Sequence, residues 1–190
     1  MPITPSAVSL QGRVAIVTGG GAGIGRGIAA GLAAFGATVA IWERDATSAA
    51  AVATETGGLA LVTDVRDSAQ VDAALARTVE QLGPPQILVN NAGGTFSSPL
   101  LETSENGWDA LYRANLGSVL LCTQRVARVM VEAAHGGSII NITSIEGVRA
   151  APGYAAYAAA KAGVINYTRT AALELAEHGI RVNVWPRISP

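Results

Sequence analysis

Thr18-Gly19-Gly20-Gly21-Ala22-Gly23-Ile24-Gly25 decides how this sequence folds. Five glycines crowd one turn, directly after the β-rich run Arg13 to Thr18 and directly before a helical stretch from Ile24 to Phe35. A backbone without side chains can approach a pyrophosphate closely, and the exposed amides and dipole of the following helix favour its negative charge. Spacing separates the variants of such a turn. Every G-x-G-x-x-G frame fails at its third glycine, whereas Gly19, Gly23 and Gly25 fit T-G-x-x-x-G-x-G behind Thr18. Glycines making only a tight strand-to-helix turn would look similar, so the flanking pattern has to decide.

Outward from the turn, a second β-rich run, Thr38 to Trp42, completes a βαβ unit. Further strands are predicted near Leu59 to Val62, Ile87 to Asn90, Ser138 to Ile142 and Arg181 to Trp185. Helical segments lie between them, around Thr47 to Thr56, Ala69 to Leu82, Asn106 to Ala134 and Tyr154 to His178. Gly83-Pro84-Pro85 and Gly136-Gly137 are the clearest breaks. Strict alternation requires parallel strands with right-handed crossovers. The expected fold is therefore α/β: a Rossmann-like, doubly wound parallel sheet of six strands in three α/β/α layers, with residues 1–190 forming one domain.

Composition removes several function classes. Of 190 residues, 49% are hydrophobic and 14% charged, as in a heavily buried globular chain rather than a disordered one. A net charge of -1 supplies no basic field to recruit nucleic acid or an anionic membrane. The expected partner is a small molecule. Cys122, the only cysteine, falls in an apolar helical run and reads as a buried packing residue. Met1 to Gln11 carries no secretory pattern and no apolar run reaches eighteen residues, so a soluble cytoplasmic protein is expected. His135 and His178, near predicted helix C-termini, read as surface features, and no metal site is expected. Trp108, Leu111, Leu120 and Leu121 read as packing residues.

Two clusters carry chemistry. Glu43 ends the second strand eighteen positions after Gly25, near the spacing of about 20 at which a carboxylate meets the adenosine ribose. Such a carboxylate accepts hydrogen bonds from the ribose hydroxyls of NAD and repels the extra phosphate of NADP, unless Arg44 offsets that repulsion. NAD is the favoured cofactor and NADP the less favoured one. Asn90-Asn91-Ala92-Gly93 follows the fourth strand, at a carboxyl end where open α/β sheets bind ligands, and is expected to line the cofactor. The second cluster begins with Ser144, at the end of the fifth strand, and continues thirteen positions later with Tyr157 and Lys161. At i and i+4 the tyrosine and lysine share a helix face. A phenol with a reference pKa of ~10 needs a shift of roughly three units, about 4 kcal/mol, to serve as a base at neutral pH. One cation ~4 Å away at an effective dielectric of ~20 supplies about that much. Ser144 can then donate a hydrogen bond to a substrate oxygen held near Tyr157. Taken singly, the tyrosine reads as core, the serine as a cap and the lysine as a solvated charge.

Together these segments resemble the short-chain dehydrogenase/reductase family in its single-domain branch, and within it the bacterial 3-oxoacyl reductase-like oxidoreductases. Thr18 to Gly25, Asp64-Val65, Asn91-Ala92-Gly93, Asn115, Ser144, Tyr157-x-x-x-Lys161 and Arg181-Val182-Asn183 fall in that family's order and spacing, from about Gly12 to Asn183. The resemblance implies hydride transfer between NAD(H) and a secondary alcohol or ketone, with Tyr157 as general acid/base. It implies cofactor contacts from Thr18, Gly19, Gly21, Gly23, Ile24 and Gly25, from Glu43 and Arg44, and from Asp64 and Val65 at the adenine. It adds Asn91, Ala92 and Gly93 as the cofactor wall, Lys161 on the nicotinamide ribose, and Asn115 in a water-linked relay ending at Lys161. A homodimer or homotetramer is implied by the same analogy, through the helices covering Asn106 to Ala134 and Tyr154 to His178.

After the sixth strand the pattern changes. Family members continue with a Pro-Gly turn, a helical segment over the substrate, a seventh strand and a last helix, whereas this sequence runs Val184-Trp185-Pro186-Arg187-Ile188-Ser189-Pro190. The expectation is a chain truncated at its C-terminal end, with an exposed sheet edge and impaired shielding of the substrate. The alternative function is accordingly a dinucleotide-binding module or oligomer subunit without turnover.

Overall fold

A computed structural model describes residues 8–187. Its strands are β1 (Val14–Thr18), β2 (Thr38–Glu43), β3 (Leu59–Val62), β4 (Ile87–Asn90), β5 (Gly137–Ser144) and β6 (Ile180–Arg187). All neighbours pair in parallel, in the order β3-β2-β1-β4-β5-β6. The chain winds outward from β1 to β3, then returns to place β4 on the other side of β1. That reversal opens a crevice at the carboxyl ends of β1 and β4, where the glycine turn sits.

The central strands are apolar on both sides because both sides are covered. Every residue of β1 and β4 is buried. Alternation sorts them into two layers: Ile16, Trp42, Leu88 and Ile139 pack with Val71, Val126 and Met130, while Ala15, Val17, Ile41 and Val89 pack with Ala29 and Val52. Trp42 fits a dry layer only because its indole N–H donates to Thr78 Oγ1 at 3.1 Å. Cys122 is buried in the first layer and both histidines are exposed, as expected.

The helices are α1 (Gly23–Ala34), α2 (Ala46–Thr56), α3 (Ser68–Leu82), α4 (Glu105–Tyr112), α5 (Ser118–Ala133) and α6 (Ala155–Leu175). No described helix is long and apolar enough to cross a membrane. The continuous helix expected over Asn106 to Ala134 is instead two α-helices joined by a π-helical segment, Arg113–Gly117. A wider turn shifts the inward face of the helix, about 100° per added residue. Within α4 Leu111 is buried, whereas Trp108, read as a packing residue, is 36% exposed. Outer strand β6 carries Trp185 at 70% exposure.

Candidate active site

The three helices that start after β2, β3 and the β4 loop have side-chain caps. Asp45 accepts from Ser48 N, Asp67 from Ala69 N and Gln70 N, and Ser104 from Gly107 N. Helix α1 starts under Ala22, with no side-chain cap and no acid in its first turn. Its first N–H groups face a cleft of about 540 Å3, lined in part by Gly19, Gly23, Ile24 and Gly25. An uncapped helix start behind a glycine turn fits a pyrophosphate.

Two glycines make this geometry possible. Gly23 has φ +52, and a Cβ there would meet nothing within 4 Å, so the space above it is open. Gly25 brings α1 against the turn: a Cβ on it would stand 2.0 Å from Gly19 O and 2.5 Å from Asn91 Nδ2. The turn is tied to β4 as well. Thr18 Oγ1 accepts from Asn91 N and Ala92 N, both at 3.0 Å, and Asn91 Nδ2 donates to Thr18 O and Gly19 O.

Glu43 stands at the end of β2 with its carboxylate aimed into this turn. It accepts from Gly21 N at 3.3 Å, Arg44 N at 2.8 Å and Asp45 N at 3.2 Å. Backbone amides thus fix an anion at one end of the cleft, beside Arg44 and the stretch Thr63 to Arg66. There Asp64 is engaged by Arg66, whose Nε lies 2.9 and 3.1 Å from the two carboxylate oxygens and whose Nη2 lies 2.5 Å from Oδ2. The guanidinium holds the Asp64 carboxyl below the usual carboxylate range. Arg66 had no place in the sequence argument. Its signal was an opposite charge two residues after Asp64.

Three residues expected at the cofactor stand outside the cleft lining. Thr18 is buried and acts as the clamp just described, outside the cleft lining. Gly21 is also outside it: its N–H is spent on Glu43, and Glu43 and Ser48 pack where its side chain would be. Asn90, expected to line the cofactor, points into the core. Its Nδ2 donates to Thr123 Oγ1 at 2.9 Å and to Asn141 Oδ1 at 2.8 Å. Asn91, Ala92 and Gly93 do line the cleft, with Glu43, Arg44, Asp64 and Val65.

At β5 the polar side chains multiply. Asn141 Nδ2 donates to Thr168 Oγ1 of α6 at 3.0 Å, Lys161 Nζ donates to Ile142 O at 2.9 Å, and Thr143 Oγ1 donates to Lys161 O at 3.0 Å. Three successive strand residues therefore register β5 against the helix that carries Tyr157 and Lys161. Ser144 follows directly, and its Oγ accepts from Glu146 N at 3.2 Å. With that lone pair engaged, its O–H remains as a donor. Lys161 is 5% exposed, and its ammonium lies 5.7 Å from the centroid of the Tyr157 ring. The expected shared helix face is present.

Asn115 links the two regions. It sits in the π-helical segment, where both its amide hydrogens are used, on Gly94 O at 2.8 Å and Leu111 O at 2.9 Å, and its Oδ1 accepts from Gly94 N at 3.3 Å. Its side chain staples the wall after β4 to the irregular turn of the helix.

The sequence signature described as short chain dehydrogenase matches residues 13–186. The chain is 44% identical over 182 residues to the short chain dehydrogenase/reductase astE of Aspergillus oryzae, covering 92% of this chain and 70% of that protein. It is 41% identical to a 3-oxoacyl-(acyl-carrier-protein) reductase of Synechocystis sp., covering 92% of this chain and 73% of the relative. A crystal structure of a short chain dehydrogenase from Mycobacterium smegmatis superposes with a TM-score of 0.92 at 34% identity, covering 95% of this chain and 78% of that one. With the six-stranded order and the strand-end constellation already described, these matches settle the family: the chain belongs to the short-chain dehydrogenases.

Proposed function

We propose that this protein exchanges hydride between NAD(H) and a secondary alcohol or its ketone, with Tyr157 as general acid/base. The observation that carries this reading is the buried Lys161 ammonium, hydrogen-bonded to Ile142 O and set 5.7 Å from the Tyr157 ring centroid. A buried cation costs desolvation energy, which argues for a use at that place. When bound, the dinucleotide supplies or accepts the hydride at the carbinol carbon. Tyr157 gives a proton to the substrate oxygen in reduction and takes it in oxidation. Ser144 donates its O–H to the same oxygen and holds it in place. Lys161 keeps positive charge beside the phenol, and Asn115 holds the wall between Gly94 and the helix.

Glu43 supports NAD over NADP. Three backbone N–H groups hold its carboxylate, leaving acceptor capacity for a ribose hydroxyl and opposing a phosphate there. An oligomer, dimer or tetramer, is supported by a groove between α5 and α6 of about 800 Å3, whose lining includes Leu120, Leu121, Val131, Tyr167 and Leu175. Light scattering on the purified chain tests it, and a monomer at working concentration rejects it.

A second reading, dinucleotide binding without turnover, draws on the cleft from Gly19 to Ala114 alone, which can hold a dinucleotide whether or not Tyr157 turns over. Fluorescence titration with NADH and NADPH, followed by a panel of ketones and alcohols, decides between the two. Under the first reading NADH binds more tightly than NADPH, and Tyr157→Phe keeps binding while turnover falls at least about 100-fold. Binding without any Tyr157-dependent turnover selects the second.

A further inference from the structure

Two consecutive residues of β5 hold Lys161 at opposite ends. Its ammonium donates to Ile142 O at 2.9 Å, and its main-chain carbonyl accepts from Thr143 Oγ1 at 3.0 Å. Inside a helix a carbonyl already accepts from the N–H four residues on, so the hydroxyl takes the second lone pair of Lys161 O. Thr143 is buried, and strand alternation turns it to the same side as Asn141, whose Nδ2 donates to Thr168 Oγ1 about two turns further along α6. The side chain of Ile142 lies in the opposite layer, with Val17 and Val89.

Ser144 follows Thr143 directly, and the chain then closes onto the same peptide. A short 3-10 helix, Ile145–Gly147, brings Gly147 against α6: a Cβ there would stand 3.0 Å from Lys161 C, 3.1 Å from Ala162 N and 3.1 Å from Ile165 Cδ1. Two of these are main-chain atoms, which cannot swing aside as the end of a side chain can. Ser144 is thus bracketed by contacts with the Lys161 peptide, from Thr143 before it and from Gly147 after it. The acceptor of the ammonium, Ile142 O, is a backbone group that any residue at that position would offer. On a flexible four-carbon stem the ammonium can still reach Ile142 O after its root has shifted, but it then stands elsewhere relative to Tyr157.

We infer that Thr143 is a positioning residue: its hydroxyl, bound to Lys161 O, sets where the Lys161 ammonium stands relative to Ser144 and Tyr157. This rests on the acid/base reading above and adds a residue to it.

Lys161 is the only lysine in the chain, so labelling the full protein with carbon-13 lysine gives one carbonyl and one Cε resonance. Turnover is followed with NADH and whichever ketone of the panel above the wild type reduces fastest. Thr143→Val, close in shape and lacking the hydroxyl, should move both resonances and lower kcat about tenfold, while KM changes by less than about twofold. Thr143→Ser, which keeps the hydroxyl, should return both resonances to their places and kcat to within about twofold of wild type. Thr168→Val cuts the other hydrogen bond between β5 and α6 and should leave kcat within about twofold of wild type. Gly147→Ala reaches the same peptide from beyond Ser144 and should move the Cε resonance with Thr143 in place. The inference is overturned if Thr143→Val moves the carbonyl resonance alone and keeps the wild-type kcat, or if Thr168→Val lowers kcat as far as Thr143→Val does. Should Thr143→Val not fold, an unmoved Cε resonance in Gly147→Ala overturns it. A wild type that reduces no ketone overturns the acid/base reading instead, and the two resonances still decide whether Thr143 places the ammonium.

Discussion

At the end of β1 the chain leaves side chains out; two strands away in the sheet, at the end of β5, it fills the space with them. Around Gly19 to Gly25 the surface is backbone amide, and a single methyl at Gly25 would stand 2.0 Å from Gly19 O. Around Asn141 to Ser144 every residue uses a polar group on a neighbour: Asn141 on Thr168, Ile142 on Lys161, Thr143 on the Lys161 carbonyl, Ser144 on Glu146. The first arrangement suits a large polyanion that brings its own hydrogen-bond acceptors. The second suits chemistry that needs two or three side-chain atoms held in fixed register.

Breaking the first region should cost the most. In Gly25→Ala the added carbon meets backbone on one side and Asn91 Nδ2 on the other, so α1 or the turn must move. Overpacking of about 3 kcal/mol, all expressed at the pyrophosphate site, is a loss of roughly 100-fold or more in NADH affinity. Gly23→Ala should cost the fold less, since its methyl meets no protein atom and the penalty is the φ of +52 alone, about 1 kcal/mol. Urea denaturation ranks the two. Equal losses would mean that the close approach at Gly25 does not govern the turn.

In the second region the damage should appear as stability. Asn141→Leu removes the acceptor of Asn90 Nδ2 and the donor to Thr168, in a layer where Asn90, Thr123, Asn141 and Thr168 are all buried. Two buried polar groups each lose a partner, so urea denaturation should show a destabilisation of about 2–4 kcal/mol. Thr168→Val, which strips one end of the chain and leaves Asn90 paired with Asn141, should cost about 1 kcal/mol. A near-neutral Asn141→Leu would show that the strand and helix find their register through apolar packing alone.

What could be read in advance divides along the same line. The glycine turn, the six strands and the Tyr157–Lys161 face were legible because absence of side chains, period-two burial and an i, i+4 spacing are local properties of the sequence. The buried amide chain was not, since Asn90 and Asn141 lie fifty-one positions apart and meet only once β4 and β5 pair. The partner of Gly21 was hidden for a related reason. Its N–H is claimed by Glu43, twenty-two positions on, a competition that spacing within the motif does not reveal. The π-helical segment was hidden too, because Asn115 needs Gly94 as a partner to make the irregular turn worthwhile.

The smallest effect sharpens the boundary between the two kinds of core. Cys122 precedes Thr123 on α5, yet it belongs to the apolar layer with Ile16, Leu88 and Met130, while Thr123 joins the amide chain. Burial pushes the Cys122 thiol up to about 12, only weakly opposed by Arg125. Because the folded value lies above the unfolded one, the unfolded chain ionises first. This contribution to stability is complete below the unfolded pKa of 9.0 and is lost as pH rises toward 12. At pH 10 the loss amounts to about 1.4 kcal/mol relative to pH 7, and Cys122→Ala, although less stable at both pH values, should lack that part of the decline. Urea denaturation of both proteins at pH 7 and pH 10 measures it. Parallel declines would place water or a hydrogen-bond donor at the thiol, and the layer beside Thr123 would then be polar on both sides.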